Sequence, residues 1–406
     1  MERVIIHIDV NNAFLSWTAI DLLNKGYKYD IRNSYAVIGG DESMRRGIVT
    51  AKSMPCKKLG IKTAEPLYQA RKKCPALKVY SSDFNLYKKM SNSLFDLIKK
   101  YTPDVEVVSI DECFVDYTKV KKLYGDPVEF AKKLQKEVEK TLGFTVNIGI
   151  AENKLCAKMA SDFEKPNKIH TLFKEEIEIK MWPMNVSKLY GVGKSSVPKL
   201  NSMGIKTIKH LAMASENELY NVFKNNAHRF IESANGINKS EVVSDEYAPK
   251  GIGNSTTLER DINNLNELNN VLLSLSENVS HSLNKQKKYA SVVAVSIKDK
   301  FFKTSSHQRK LKNPVNTSKD IFEEAKKLLK ELYKSEPVRL IGIRLDNLTD
   351  KPYYQVSLFE DIKEKEEDKS LEKIVTDLKE KYGVSIIRKA KQEKKVSFKN
   401  YKDELK

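Results

Sequence analysis

Apolar and polar positions divide the chain into two α+β regions with an all-helical region between them. In the first region, short apolar runs predict strands at residues 4–10, 105–117 and 145–151. Apolar residues at helical spacing predict helices at 86–100 and 127–142. We therefore expect an α+β layer with helices on one face of a sheet.

An insertion separates the first two of these strands and has a pattern of its own. It predicts strands at residues 34–38 and 47–51 and a helix at 67–73. Farther along, short amphipathic stretches predict helices over 177–238, and the polar segment 242–253 predicts a linker.

The second α+β region follows this linker. Helices are predicted at residues 264–285 and 318–333, and strands at 289–298, 300–309 and 338–345. The remainder of the chain is dense in alternating charge and predicts a partly ordered tail.

Composition narrows the class of protein. A chain of 406 residues, 40% hydrophobic and 31% charged, is expected to form more than one soluble globular domain. It has neither a long apolar run nor the pattern of a signal peptide, so we expect a cytoplasmic protein. The four cysteines are scattered and predict free thiols. A net charge of +18 favours a polyanion such as nucleic acid or a membrane surface, although a Lys-rich genome bias gives the same charge.

Three acidic residues lie inside predicted strands. Asp9 ends the first strand, and Asp111 and Glu112 lie between Ile110 and Phe114 in an apolar pattern. Buried carboxylates are costly, and a hard divalent cation with oxygen ligands relieves that cost. Because successive strand residues point to opposite faces, Asp111 and Glu112 can share a site only at a bend or hairpin end. Spacing alone leaves two interpretations open, a metal site or acids that cap strands and pair with lysines.

Two stretches around these acids carry a family resemblance. Residues 7–14 have the sequence His-Ile-Asp-Val-Asn-Asn-Ala-Phe, and residues 109–113 have the sequence Ser-Ile-Asp-Glu-Cys. Both resemble motifs of the Y-family, the error-tolerant translesion DNA polymerases, close to the polymerase IV type. The resemblance implies an α+β, multidomain right-hand polymerase with a ferredoxin-like palm, small fingers, a helical thumb with a helix-hairpin-helix, and an α+β little finger. It implies a palm at 1–12 and 82–172, fingers at 13–81, a thumb at 173–241, the linker at 242–253, a little finger at 254–350 and a charged tail at 351–406.

The same resemblance implies two-metal nucleotidyl transfer from dNTPs to a primer 3′-hydroxyl, with low fidelity and no proofreading. The catalytic residues would be Asp9, Asp111 and Glu112, and these would bind metal together with the main-chain carbonyl of Val10. The cofactor would be Mg²⁺, two ions per active site, with Mn²⁺ as an alternative. Asn11 stands where many members have a second acid that is not an essential ligand.

Nucleotide contacts follow from the same resemblance. Phe14 stands at the family's steric gate, whose ring excludes a ribose 2′-hydroxyl; without the resemblance it would be interpreted as a core aromatic residue. Residues 46–60 resemble the fingers motif, but Met54 and Lys57 replace a Tyr and an Arg that grip the triphosphate. Lys57 keeps the charge and loses the bidentate fork. Further nucleotide contacts are expected at Lys165, Asn12 and Ala13.

Two groups of residues are expected to contact the DNA backbone without reading its sequence. A glycine-rich turn resembles a helix-hairpin-helix, although a lone turn of this kind is equally common between ordinary helices. Its residues are Gly191, Val192, Gly193 and Lys194. In the expected little finger the candidates are Lys298, Lys300, Lys303 and Arg309, which could instead form a solvated face.

A pentapeptide in the tail predicts a protein partner. Residues 355–359, Gln-Val-Ser-Leu-Phe, resemble the segment by which bacterial polymerases dock on the sliding clamp (β), with Gln355, Leu358 and Phe359 as docking side chains. Five residues are a weak motif, but their position just after the catalytic body favours docking. The expected partners are primer–template DNA, dNTPs and the clamp, and we expect a monomer that binds no membrane.

Two other functions are disfavoured by the sequence. A helix-hairpin-helix DNA glycosylase has a catalytic Asp shortly after the hairpin, and none occurs between Gly193 and Asp245. A non-catalytic DNA-binding scaffold would not need to keep all three acids.

Overall fold

The computed structural model describes residues 3–42, 45, 47–245, 248–350, 374, 378 and 381. Its described residues form two compact units, one within Met1–Gly40 and Ile48–Glu246 and the other within Asp41–Gly47 and Tyr247–Lys406. Within the described ranges, no helix combines the length and the apolar character needed to cross a membrane.

The first unit holds a five-stranded sheet of order β5-β6-β1-β7-β8, a three-stranded sheet of order β3-β2-β4, and a series of helices. In chain order the elements are β1 (Ile5–Val10), α1 (Ala13–Asn24), β2 (Ala36–Gly39), β3 (Val49–Lys52), α2 (Met54–Lys58), α3 (Leu67–Lys73), β4 (Lys78–Ser81), α4 (Phe84–Lys99), β5 (Val105–Val107), β6 (Glu112–Asp116), α5 (Lys121–Tyr124), α6 (Pro127–Leu142), β7 (Val146–Ala151), α7 (Lys154–Ser161), β8 (Ile169–Thr171), α8 (Ser196–Ser202), α9 (Ile208–Ala212), α10 (Glu216–Phe223) and α11 (Asn226–Ala234).

Alternate residues of β1 enter two different cores. Ile6 and Ile8 pack with Trp17 of α1 and with the apolar faces of α4 and α6. Ile5, on the opposite face, packs with α7 and the helices that follow it. Because side chains alternate along a strand, Asp9 projects from the face that α7 covers.

Helix α6 has the bounds that its sequence predicts, and its ends show why. The Asp126 carboxylate accepts hydrogen bonds from the N–H groups of Val128 and Glu129. Pro127 occupies the first helical position, and Gly143 ends the helix with φ of 78°. These signals are local, so they could be recognised in the sequence.

The strand predicted at residues 105–117 is two strands. The Val108 and Ser109 N–H groups both donate to the Glu112 carbonyl, at 3.1 and 3.3 Å, and close a tight turn between β5 and β6. Asp111 lies in this turn and accepts a hydrogen bond from the Ser109 hydroxyl at 2.7 Å. The single-strand prediction was therefore wrong, and the bend that a shared acidic site requires is present.

The second unit contains a four-stranded antiparallel sheet of order β11-β10-β12-β9, with two helices on one face. Its elements are β9 (Gly251–Ile262), α12 (Leu265–Lys285), β10 (Tyr289–Asp299), β11 (Thr304–Val315), α13 (Ser318–Leu332) and β12 (Val338–Thr349).

Two boundaries in this unit differ from the sequence prediction. Strand β9 begins at Gly251, inside the segment 242–253 that was predicted to be a linker. Glycine usually disfavours strands, so its glycines predicted a linker. In the structure they pack closely instead: an added Cβ at Gly251 would lie 2.1 Å from Asp346 Oδ1. Strand β11 begins at Thr304 rather than at residue 300, because the Asp299 carboxylate holds the N–H groups of Phe301 and Lys303 in a turn.

All four cysteines are buried free thiols, namely Cys56, Cys74, Cys113 and Cys156. The expectation of unpaired thiols is confirmed for these four residues.

Candidate active site

Asp9 and Glu112 lie side by side on neighbouring strands. The antiparallel register of β1 and β6 pairs them directly, so their side chains project from the same face of the sheet. Asp111 lies at the end of the β5–β6 hairpin, and its carbonyl accepts a hydrogen bond from the Val10 N–H at 2.9 Å. The three predicted acids and Val10 are thus brought together at one end of the sheet.

Two lysines lie against these acids. Lys165 Nζ is 2.9 Å from Asp9 Oδ2 and 2.8 Å from Asp162 Oδ1. Lys158 Nζ is 2.5 Å from Glu112 Oε2, and the Lys158 side chain is only 13% exposed. The ammonium groups therefore occupy positions beside the carboxylates where other cations could compete.

These surroundings shift the pKa values of Asp9 and Glu112 in opposite directions. Burial raises the pKa of Asp9, and its contacts with Lys165 oppose that shift without cancelling it. The nearby His7 ring, together with Lys158, lowers the pKa of Glu112 to about 2. Further positive charge beside Asp9 would stabilise its ionised form.

His7 belongs to the site, although the sequence analysis gave it no role. Its ring is fully buried, with Nδ1 2.8 Å from Ser161 Oγ and Nε2 3.5 Å from Glu112 Oε2. Burial lowers the pKa of His7, which favours a neutral ring. The Ser161 hydroxyl has one proton and also lies 2.8 Å from the Lys158 carbonyl, so a neutral ring carries its proton either on Nδ1 toward Ser161 or on Nε2 toward Glu112, but not on both. The available signal was its position two residues before Asp9, on the same face of a strand.

Helix α7, which carries Lys158 and Ser161, packs unusually close to the sheet. Gly149 in β7 lies beneath it, and an added Cβ there would lie 1.9 Å from the Ala157 carbonyl oxygen and 2.5 Å from the Ser161 N. Only glycine allows this approach.

Gly149→Ala is therefore expected to destabilise the protein by about 3 kcal/mol, because the helix or the strand must shift to admit one methyl group. Urea denaturation followed by circular dichroism measures this change. Gly193→Ala is the matched control, since an added Cβ at Gly193 would meet nothing within 4 Å. Equal stability of the two variants would contradict the close packing of α7.

The acids have the chemistry of a divalent-cation site but are not arranged as one. Among the described residues, no three His, Cys, Asp or Glu side chains converge to hold a metal ion. The reason is local: Lys165 holds Asp9, Lys158 holds Glu112, and Asp111 faces the Ser109 hydroxyl. The donors are all oxygen, as Mg²⁺ prefers, and the raised pKa of Asp9 shows that positive charge would be favourable there.

The predicted nucleotide contacts lie around the turn between β1 and α1. The half-buried Phe14 ring stacks on Tyr87, with centroids 4.6 Å apart and planes 20° apart. Asn12 has a positive φ of 52° and does not cap α1; its side-chain amide donates instead to the Lys52 carbonyl at 2.9 Å. The first N–H groups of α1, beginning at Ala13, thus have no side-chain cap in the described structure.

Met54 and Lys57, the two departures from the fingers motif, lie on α2. Met54 is 48% exposed, which is unusual for this residue type in a folded chain. Lys57 is also exposed, and its positive charge adds to the effect of burial in lowering the pKa of Lys52.

The glycine-rich turn precedes α8. Gly191 adopts φ of 94°, which favours glycine, and Gly193 accepts a hydrogen bond from the Ser196 N–H at 2.9 Å. Val192 is buried in the helical core, whereas Lys194 is exposed. This arrangement leaves the turn's backbone accessible beside a positive side chain.

Arg309, one of the four predicted DNA contacts in the second unit, lies on the opposite face of the sheet from Lys298. It is opposite the buried Val293, on the helix-covered face of the sheet, with ion pairs to Glu324 at 2.6 Å and Glu331 at 2.7 Å. Its pairing with Val293 puts Arg309 on that face, and this register is not visible in the sequence.

The other face of this sheet is polar and built from small residues. It carries Ser296 and Gly342 in its middle, and the predicted Lys298 toward one end. Lys300 and Lys303 are exposed in the β10–β11 turn. Sequence reasoning missed two further basic residues of this face, Lys310 and Arg344, which follow from strand register.

Comparisons with known proteins agree with this arrangement. Models of the impB/mucB/samB family match residues 8–162, its C-terminal domain matches 249–358, and its helix-hairpin-helix motif matches 174–205. The chain is 44% identical to DNA polymerase IV of Clostridium acetobutylicum, over 95% of this chain and 97% of that protein. It is 35% identical to DNA polymerase IV 1 of Bacillus subtilis, over 97% of this chain and 94% of that protein.

A solved structure has the same fold. A Y-family DNA polymerase chimera of Dbh and Dpo4 aligns with a TM-score of 0.76 at 23% identity, covering 86% of this chain and 100% of the chimera. The expected multidomain α+β fold is confirmed. The pentapeptide with Gln355, Leu358 and Phe359 lies outside the described residues.

Proposed function

The chain belongs to the impB/mucB/samB family and is a Y-family DNA-directed DNA polymerase of translesion synthesis, and we propose that it works by two-metal-ion nucleotidyl transfer at Asp9, Asp111 and Glu112. The substrates are primer–template DNA and dNTPs, in the cytoplasm, and the product is a primer longer by one nucleotide. Low fidelity and the lack of proofreading belong to the same proposal, which is supported by the expected palm, fingers and thumb because together they would account for residues 1–241.

One observation carries the catalytic assignment. Asp9 and Glu112 are opposite each other across β1 and β6, beside the hairpin turn that contains Asp111. Carboxylates at this density are costly unless cations join them, and the lysines that do so here are flexible side chains. The proposed site thus combines oxygen ligands with lysine ammonium groups whose flexible side chains can move.

The proposed division of labour follows from the side chains. Asp9, Asp111, Glu112 and the Val10 carbonyl would hold two Mg²⁺ ions, or Mn²⁺ in their place. When bound, the ions lower the pKa of the primer 3′-hydroxyl and stabilise the triphosphate and the leaving pyrophosphate. Lys165, freed from Asp9, is well placed to bind a phosphate oxygen.

The remaining contacts select and position the substrates. Phe14, held by its stack on Tyr87, would close the space beside the sugar. The uncapped N–H groups from Ala13 onward favour an anion, with Asn12 fixing the turn that presents them. Lys57 would add charge from α2.

Binding of the DNA backbone is proposed for two surfaces. One is the turn at Gly191, Val192, Gly193 and Lys194, whose amides suit a phosphate. The other is the open sheet face of the second unit, with Lys298, Lys300, Lys303, Lys310 and Arg344. Both contacts are independent of base sequence, as a polymerase requires.

Primer extension by the purified chain across a bulky template lesion tests the proposed function. We expect nucleotides to be added opposite the lesion and beyond it, and we expect the primer not to shorten when dNTPs are left out. Extension that always stops one nucleotide before the lesion would contradict translesion synthesis. Primer shortening would contradict the lack of proofreading.

Clamp docking through residues 355–359 is expected to control processivity. Phosphate contacts alone are salt-sensitive, whereas a tether to a ring on DNA makes rebinding intramolecular, at about millimolar effective concentration. Replacing Leu358 and Phe359 with Ala should leave clamp-free extension unchanged and remove stimulation by added clamp, because these apolar side chains would anchor the peptide. Product lengths with and without clamp measure the effect.

Ser357→Ala, within the same pentapeptide, is the matched control and should keep the stimulation. Gln355→Ala should weaken it. Full stimulation of the double variant would place clamp docking on another part of the chain.

A further inference from the structure

Lys52, at the end of β3, is fixed beside the turn that follows Asp9. Its carbonyl accepts the Asn12 side-chain amide at 2.9 Å, so the end of β3 and the β1–α1 turn are tied together. Strand β3 is held in turn by β2, where Lys52 pairs with Val37. The backbone of Lys52 therefore has a defined position next to the proposed nucleotide contacts at Asn12 and Ala13.

The ammonium group of Lys52 lacks a carboxylate partner in the described part of the chain. It is half-buried and donates a hydrogen bond to Thr63 Oγ1 at 2.9 Å. The acid that acts on it from a distance, Glu65, is itself paired with Lys73 at 2.7 Å. Burial, and then the charge of Lys57, lower the pKa of Lys52.

The positive charge of the exposed Lys57 acts unfavourably on the half-buried Lys52 ammonium group, and an anion bound by both would relieve that repulsion. In a folded protein such repulsion is usually relieved by an acidic side chain, but Glu65, the acid that acts on Lys52, is already paired with Lys73. Lys57 alone is a point charge that cannot form the two parallel hydrogen bonds of an arginine fork. The Lys52 ammonium group would supply a further donor.

We propose that Lys52 binds the triphosphate of the incoming dNTP together with Lys57. This inference rests on the proposed polymerase function and adds a binding residue to it. The ligand is a phosphate oxygen, so the contact does not depend on which base the nucleotide carries. Thr63 holds the ammonium group in place when no nucleotide is bound.

Single-turnover incorporation of each of the four dNTPs by Lys52→Met tests this proposal. The apparent Kd for all four dNTPs should rise about tenfold, equivalent to about 1.4 kcal/mol. The maximal rate should change much less, since no reacting atom is touched. Lys52→Arg should retain most of the affinity, and Lys52→Gln, which can still bond Thr63, should lose as much as Lys52→Met. In the Lys52→Met/Lys57→Met variant the losses should not simply add, because both side chains would bind one polyanion.

Lys58→Met is the matched control, since Lys58 is an exposed neighbour on α2 and should leave the Kd for dNTPs unchanged. An unchanged Kd in Lys52→Met would overturn the proposal, as would a rise for purine nucleotides alone, which would indicate a contact with the base. A weaker Kd for primer–template with unchanged Kd for dNTPs would place Lys52 on the DNA backbone. Absence of incorporation by the wild-type chain would refute the proposed function, whereas an unchanged Kd in an active Lys52→Met variant would refute the role of Lys52 alone.

Discussion

Replacing Asp9, Asp111 or Glu112 with Ala is expected to lower the rate of nucleotide addition by about 10³-fold or more, or at least about 4 kcal/mol in the barrier. Each change removes an oxygen ligand from ions that would stabilise the attacking and leaving groups. DNA affinity should remain close to that of the wild type, because it would come from phosphate contacts on other surfaces. Single-turnover primer extension and fluorescence anisotropy with labelled DNA measure the two quantities.

A surface acid provides the control for these three variants. Glu129 is 70% exposed and pairs only with Lys132 in the described structure, so Glu129→Ala should extend primers normally. Circular dichroism checks that the variants fold, since Glu112→Ala leaves Lys158 without its partner. Extension at nearly the wild-type rate by Glu112→Ala would refute the catalytic assignment.

Phe14→Ala is expected to raise ribonucleotide incorporation relative to deoxynucleotide incorporation by about 100-fold. A ring that fills the space of the 2′-hydroxyl rejects the ribose by exclusion, and its removal opens that space. The stack on Tyr87 supports this role because it fixes the ring's position at the start of α1. Competition between a ribonucleotide and the matching deoxynucleotide measures the ratio.

A core role for Phe14 would give a different result. Loss of a core ring costs about 3–5 kcal/mol of folding free energy and would lower both activities together. Phe84→Ala removes a neighbouring ring, 6.4 Å from that of Phe14, and should lower stability without changing sugar preference. If Phe14→Ala leaves the ratio of ribonucleotide to deoxynucleotide incorporation unchanged, Phe14 is a core residue and not a steric gate.

The elements that the sequence predicted well are those with local signals. Helix α6 begins after an Asp–Pro pair and ends at a glycine, and α3 has the bounds predicted for it. Strand β1 is a short, mostly apolar run whose last residues include Asp9. Capping, helical spacing and apolar runs act within a few residues, so a single sequence contains them.

The features that were missed depend on contacts between distant residues. The break between β5 and β6 depends on hydrogen bonds to the Glu112 carbonyl, and β9 depends on partners in β12. The position of Arg309 on the helix-covered face depends on its pairing with Val293 of β10. His7 and Lys52 join the site through Ser161, Glu112, Asn12 and Thr63, which come from four separate parts of the chain. Resemblance predicted the chemistry of the site, and tertiary contacts were needed to add His7 and Lys52 as candidates.

Incorporation of a single nucleotide opposite each of the four template bases, with Mg²⁺ and with the chelator EDTA, tests the central claim most directly. The account predicts that the wild-type chain adds mainly the complementary dNTP in each case, that EDTA stops the reaction, and that Glu112→Ala adds none. Addition that continues in EDTA, or a product that is the same whatever the template base, would contradict it.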